Sequence, residues 1–156
     1  MMSDNLKATP ADIQEFGLRF SITSQLVNTR LQKLLDQFGF TTTQLNLLTH
    51  ISRWPSDAPA PRIGDLASAV DITQPAATKM VAKFENLKLV AFVSETKDKR
   101  VKQVRITQEG RDLTHKMQMA LFPDMQDWFD DWNRDHLLAF TTLLTRLGTW
   151  LDDNRL

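Results

Sequence analysis

Residues 73–87 hold the side chains best placed to do chemistry in this sequence. Gln74, Thr78, Lys79 and Lys83 recur at helical spacing, opposite a stripe of Ala77, Met80, Val81, Phe84 and Leu87. An amide, a hydroxyl and two ammonium groups on one helix face are suited to recognising another molecule. Gln74 can pair bidentately with an adenine edge, Lys79 and Lys83 can reach guanine edges or phosphates, and Ala76 and Thr78 can touch thymine methyls. Thr73 can cap the helix, and Pro75 falls in its first turn, where a missing N–H costs nothing.

Bond-breaking chemistry has less to stand on. The absence of cysteine excludes disulfides, thiolate catalysis and cysteine-ligated zinc. His50, His115 and His136 lie far apart without paired-ligand spacing. Asp124, Asp127, Asp130, Asp131 and Asp135 cluster just after Pro123, where a helix start favours acids, and read as that rather than as a cation site. Trp128 and Trp132, four apart, read as packing. There is no Gly-rich phosphate loop, no G-x-S-x-G and no H-E-x-x-H. The expectation is no enzyme, no metal and no cofactor.

Several elements must position the polar face of 73–87. Upstream, Ile63, Leu66, Ala67 and Val70 mark a short amphipathic helix, separated from residue 73 by the break Asp71–Thr73. Downstream, residues 90–94 and 102–106 alternate in polarity around the polar stretch ETKDKR, which predicts a two-stranded hairpin with a charged tip. Thr41 and Gln44 form a capping-box pattern opening a helix with Leu45, Leu48 and Ile51 on its apolar side. The proline-rich WPSDAPAP that follows is a loop. Residues 11–38 predict one long helix, with Asp12 and Glu15 in its first turn, apolar Ile13, Phe16 and Phe20 along it, and Gly39 as its stop. Its length of about 40 Å exceeds what a small core needs, so part of it packs elsewhere. Thr107 caps a helix expected to run to Phe122 and break at Pro123. A last helix is expected over 125–152, where Leu137, Phe140, Leu144, Leu147 and Leu151 are spaced as a coiled-coil seam.

The zero net charge of the 156 residues is uneven. Residues 62–106 carry nine basic and five acidic side chains, and residues 107–156 the reverse. A basic middle is the footprint of a polyanion partner. The polar N-terminus MMSDNLKATP has no apolar signal region, and no apolar run approaches the roughly 18 residues of a membrane span, so a cytoplasmic protein without membrane contact is expected.

The order short helix, tight break, amphipathic helix, hairpin and capped helix is that of a helix-turn-helix with a wing. The stretch IGDLASAVDITQPAATKMVAKFENLKLVAFVSETKDKRVKQVRITQEGRDL resembles the MarR family of winged-helix regulators. IGDLASAVDITQPAATKMVAKFE is similar to its paired DNA-binding helices, DKR at 98–100 with VRITQEG at 104–110 to its wing and the helix behind it, and GFTTTQLNLLTHI at 39–51 to the preceding helix. The resemblance implies a mainly α fold with a small β-hairpin wing: an N-terminal dimerisation helix (1–38), a winged helix-turn-helix (39–113) and C-terminal dimerisation helices (114–156). It implies a homodimer whose terminal helices interlock, double-stranded DNA with a near-palindromic operator as partner, and a repressor whose DNA affinity is altered by a small lipophilic or phenolic effector. Arg100 would then enter the minor groove, Lys97, Lys99 and Lys102 would meet the backbone, and Asp98 would shape the wing. Lys88 departs from the pattern, which has Gly there. Two other readings remain open at this level: a winged-helix protein-interaction module and a helical enzyme using the acidic cluster.

Overall fold

The computed structural model describes residues 7–94 and 102–155. Its elements are α1 (Pro10–Leu35), a 3-10 turn (Asp36–Phe38), α2 (Thr42–Arg53), α3 (Ile63–Ala69), α4 (Gln74–Asn86), β1 (Val90–Val93), β2 (Gln103–Ile106), α5 (Gln108–Asp127) and α6 (Arg134–Asp153). The chain divides into two compact units, Met1–Ala120 and Leu121–Leu156.

In the first unit, α1 starts at a capping box not foreseen from the sequence. Thr9 Oγ1 accepts from the Asp12 amide at 3.2 Å, and the Asp12 carboxylate accepts from the Thr9 amide at 2.8 Å. The Thr9 hydroxyl and then its amide, both donating, hold the Asp12 carboxyl below its ordinary pKa. Glu15, expected in the first turn, lies beyond it and pairs with Arg19 at 2.7 Å. The α-helix ends at Leu35, tightens into the 3-10 turn, and stops at Gly39 with φ 68°. The second capping box is as expected: Thr41 Oγ1 accepts from the Gln44 amide and Gln44 Oε1 accepts from the Thr41 amide, both at 3.1 Å.

The core gathers Leu45, Leu47, Leu48 and Ile51 of α2, Ile63 and Leu66 of α3, Ala77, Val81 and Phe84 of α4, Val90 and Val104 of the hairpin, and Met117 of α5. Between α3 and α4 the chain turns at Asp71, whose φ of 54° is left-handed, and the Ile72 amide closes the end of α3 on Ala67 O at 3.0 Å. Leu87 was expected on the buried face of α4 but is 48% exposed. The helix ends one residue earlier, the backbone leaves the helical path at Leu87, and Leu89 takes the buried place.

The strands pair antiparallel, Val90 with Ile106 and Phe92 with Val104. β2 is clipped to the segment before α3: the Val104 amide donates to Pro61 O at 3.0 Å, and the buried Gln103 Nε2 donates to Ala60 O at 2.7 Å. Thr107 caps α5 as expected, accepting from the Gly110 amide at 3.0 Å while donating to Lys88 O at 2.7 Å. A Cβ at Gly110 would collide with Leu89 O and the Ile106 side chain, so this approach of α5 to the hairpin requires glycine.

In the second unit the expected boundary is corrected. Pro123 does not end α5, which continues to Asp127, and α6 begins at Arg134 rather than 125. A proline removes one amide and clashes with the turn before it, yet its fixed φ is helical, so the cost does not compel a stop. The chain instead breaks before Asn133, whose Oδ1 caps α6 by accepting from the His136 amide at 2.8 Å. Phe129, Trp132 and Phe140 meet edge to face at centroid separations of 5.2 and 5.6 Å.

Lys88 adopts φ 60°, the left-handed conformation that glycine takes freely. Lys88→Gly is expected to stabilise the protein by about 1 kcal/mol, read as a higher urea midpoint at unchanged slope.

Candidate nucleic-acid interface

The apolar stripe of α4 determines its outer face. Ala77, Val81 and Phe84 have no exposed surface, and Met80 is half-buried. Thr73, Gln74, Pro75, Thr78 and Lys79 are exposed and Ala76 is half-buried. Thr73 is the N-cap, its hydroxyl accepting from the Ala76 amide at 3.4 Å, and Pro75 sits where no amide partner is needed. The Thr78 hydroxyl donates to Gln74 O at 2.9 Å, which leaves its lone pairs outward. Gln74, Pro75, Thr78, Lys79 and Ala82 line an open depression of about 550 Å³ on the helix surface. The structure thus brings Gln74, Pro75, Thr78 and Lys79 together around one depression, with Thr73 and Ala76 at the same end of α4 but not lining it.

Lys83, the seventh, is engaged elsewhere. Its Nζ donates to Gly39 O at 2.8 Å and to Gln44 Oε1 at 3.1 Å, and lies 4.6 Å from the centre of the Phe40 ring. Sequence periodicity placed it on the wet face; the pull of two acceptors from another element was not visible there.

Of the expected wing residues, Lys97, Asp98, Lys99 and Arg100 lie outside the described residues. Lys102 is exposed at the base of β2, with its ammonium 5.2 Å from the centre of the Phe92 ring. Two arginines secure the hairpin base in a way the sequence did not announce. Arg105 donates through Nη1 to Pro55 O at 3.1 Å and through Nη2 to Ala58 O at 2.6 Å, while Arg111 Nη1 donates to Ser52 O at 3.3 Å. With Trp54 and Ser56 they border a cavity of about 270 Å³. Trp54 Nε1 donates to Pro59 O at 2.9 Å, so the proline-rich loop is held at both ends.

The seam residues are solvent-facing in the single subunit. Ile13, Phe16 and Phe20 on α1 are exposed, as are Leu137, Phe140, Leu144 and Leu151 on α6; Leu147 is half-buried. Among the described residues no three histidine or acidic side chains converge as metal ligands, and no helix is long and apolar enough to cross a membrane.

Residues 40–102 match the MarR family. The likeness carried by the sequence motifs is thereby confirmed over this segment. The matched segment runs from the α1–α2 junction through α3 and α4 to the base of β2. No curated protein matches the sequence significantly. Among solved structures, a MarR protein from Peptoclostridium difficile is similar with a TM-score of 0.71 and 17% identity, over 98% of this chain and 94% of that one. Wild-type MarR from E. coli gives 0.68 and 18%, over 90% and 98%. A MepR–DNA complex from S. aureus gives 0.68 and 19%, over 92% and 96%. The fold is that of the MarR winged-helix proteins: mainly helical, with a two-stranded antiparallel hairpin.

Arg105→Ala removes two bonds from a charged donor to loop carbonyls. It is expected to destabilise the protein by roughly 1–2 kcal/mol and to speed amide exchange across residues 54–61 relative to α2.

Proposed function

We propose that the protein is a dimeric, sequence-specific regulator of transcription that reads double-stranded DNA with α4. The observation that carries this reading is the outer face of α4: short polar and basic side chains at its N-terminal end, on a helix anchored by three fully buried residues behind a tight left-handed turn. A major groove about 12 Å wide admits one such helix, N-terminal end foremost. The MarR match over 40–102 and the fold shared with a MepR caught on DNA support it. Gln74 faces an adenine edge, Lys79 a guanine or phosphate, Ala76 and Thr78 thymine methyls, with Thr73 and Pro75 setting the approach. Lys83 is left out of this interface because its ammonium is already held. Arg100 enters the minor groove, Lys97, Lys99 and Lys102 contact the backbone, and Asp98 shapes the wing.

In this reading residues 1–38 and 114–156 are dimerisation arms around a DNA-binding domain at 39–113. A lone subunit exposes Phe16 at 54% on α1 and, separately, Leu151 at 51% on α6, each with several apolar neighbours on its own helix, more than a soluble helix surface usually shows. Two copies then present their reading helices about 34–36 Å apart to a near-palindrome. The regulator is a cytoplasmic repressor, and a small lipophilic or phenolic effector acts by binding one spacing of the heads better than the other.

Selection from a random DNA pool is expected to return a near-palindrome bound with steep salt dependence. Gln74→Ala should cost about 1–3 kcal/mol and relax preference at one base pair per half-site, whereas Lys79→Ala should weaken all sequences alike and lower the salt slope. Failure to enrich any sequence, with binding that stays weak, would move the fold to protein recognition. Separately, Leu144→Asp places a charge on the exposed seam and should yield monomers in sedimentation; a mutant that remains dimeric removes α6 from the interface.

A further inference from the structure

We infer that Lys83 is a positioning residue: by holding Gly39 O and Gln44 Oε1 it ties α4 to the α1–α2 junction, so that the set of α1 fixes the set of the reading helix. The inference rests on the DNA-reading role proposed for α4.

The bonds form an unbroken path. On α1, Asn28 Oδ1 accepts from the Thr42 hydroxyl at 2.9 Å. Gln32 Nε2 donates to Phe40 O at 3.1 Å, and its Oε1 accepts from the Thr42 amide at 3.1 Å. Residues 39–44 are therefore bound to α1 through both ends of one amide side chain. On the other side Phe40, 5% exposed, stacks on Phe84 of α4 at 6.0 Å between centroids, and the Lys83 ammonium closes over the same ring. Gln44 Oε1 accepts hydrogen bonds from the Lys83 ammonium and the Thr41 amide together, so the latch and the α2 cap share one oxygen.

The latch sits where such a link is needed. Residues 10–26 of α1 are all exposed, and Leu35 is its one fully buried residue, so this helix is joined to its own unit only near its C-terminal end. The joint is a left-handed Gly39, a backbone site with little stiffness of its own. A charged donor gripping the Gly39 carbonyl stiffens the hinge at its softest residue. Lys79, one turn earlier on α4, has no such partner among the described residues and keeps its charge for solvent or phosphate.

The two roles for a lysine separate by salt and by spacing. Lys83→Met keeps the stem and removes the charge, Lys83→Arg keeps the donors, and Lys79→Met serves as the phosphate comparator. Each is titrated against the selected operator over a salt series, and against the same operator with one base pair inserted between half-sites. Lys79→Met should lower the slope of log affinity on log salt by about 0.9 for each phosphate left without its lysine, and Lys83→Met should leave it unchanged. Lys83→Met should reduce discrimination against the respaced site by about fivefold or more, with recovery in Lys83→Arg. A general loss of folded protein would weaken both sites alike and leave their ratio intact. A slope that falls in Lys83→Met, or a ratio that does not move, overturns the latch. If the wild type enriches no DNA at all, the reading of α4 fails instead. The latch then stands or falls on urea unfolding of Lys83→Met, Gln44→Ala and the double mutant, where their effects on the folding constant should fall short of multiplicative by about twofold or more; multiplicative effects overturn it.

Discussion

Burying Phe84 constrains almost everything else in the first unit. A helix cannot rotate about its axis without exchanging its faces, so once Ala77, Val81 and Phe84 are committed to the core, the direction of Gln74, Thr78 and Lys79 is decided. The proposed recognition surface therefore owes its orientation to apolar burial rather than to any polar bond of its own. Phe40 adds to this by stacking on Phe84 from the α1–α2 junction, which places the end of α1 directly against the anchor of α4.

The hairpin is positioned by a different kind of force. Its strands are four residues each and too short to stand alone. Polar clamps supply what the ladder lacks: Gln103 on Ala60, the Val104 amide on Pro61, and Arg105 on Pro55 and Ala58. The proline-rich loop is thus more than a connector between α2 and α3. Its carbonyls, left without helical partners by the prolines, are the acceptors that hold β2. The left-handed Lys88 and the close approach at Gly110 complete the base by letting α5 leave the sheet at once.

What was legible in the sequence follows from this division. Local signals were read correctly: the Thr41–Gln44 capping box, the Thr73 and Thr107 caps, the Gly39 stop, the break at Asp71, and the two strands of the hairpin, although burial along them does not alternate as expected. Each depends on residues within four positions of one another. Several of the features missed depend on distant partners, although the Thr9–Asp12 capping box is local and was missed as well. Lys83 looks like any wet-face lysine until Gly39, 44 residues away, is brought beside it. Arg105 is one more cation of the basic middle until the carbonyls of Pro55 and Ala58 are brought beside it. Leu87 fits the apolar stripe by spacing, but the helix ends before it. Pro123 failed in the other direction, because a local rule predicted a stop that the rest of the helix overrides. The outer face of α4 was therefore legible in the sequence, and the engagement of Lys83 with Gly39 and Gln44 was not.

The exposed length of α1 has a consequence for how this protein behaves in the cell. A helix of 26 residues whose first seventeen are all exposed in the lone subunit has little reason to stay wound by itself. In the proposed assembly, winding the arm and finding a partner become a single equilibrium, governed by mass action. The amount of protein present then sets how much of it is structured. Dilution, as at cell division or after synthesis stops, would unwind arms and release heads from the operator with no effector involved. In that assembly abundance would itself be an input to DNA binding.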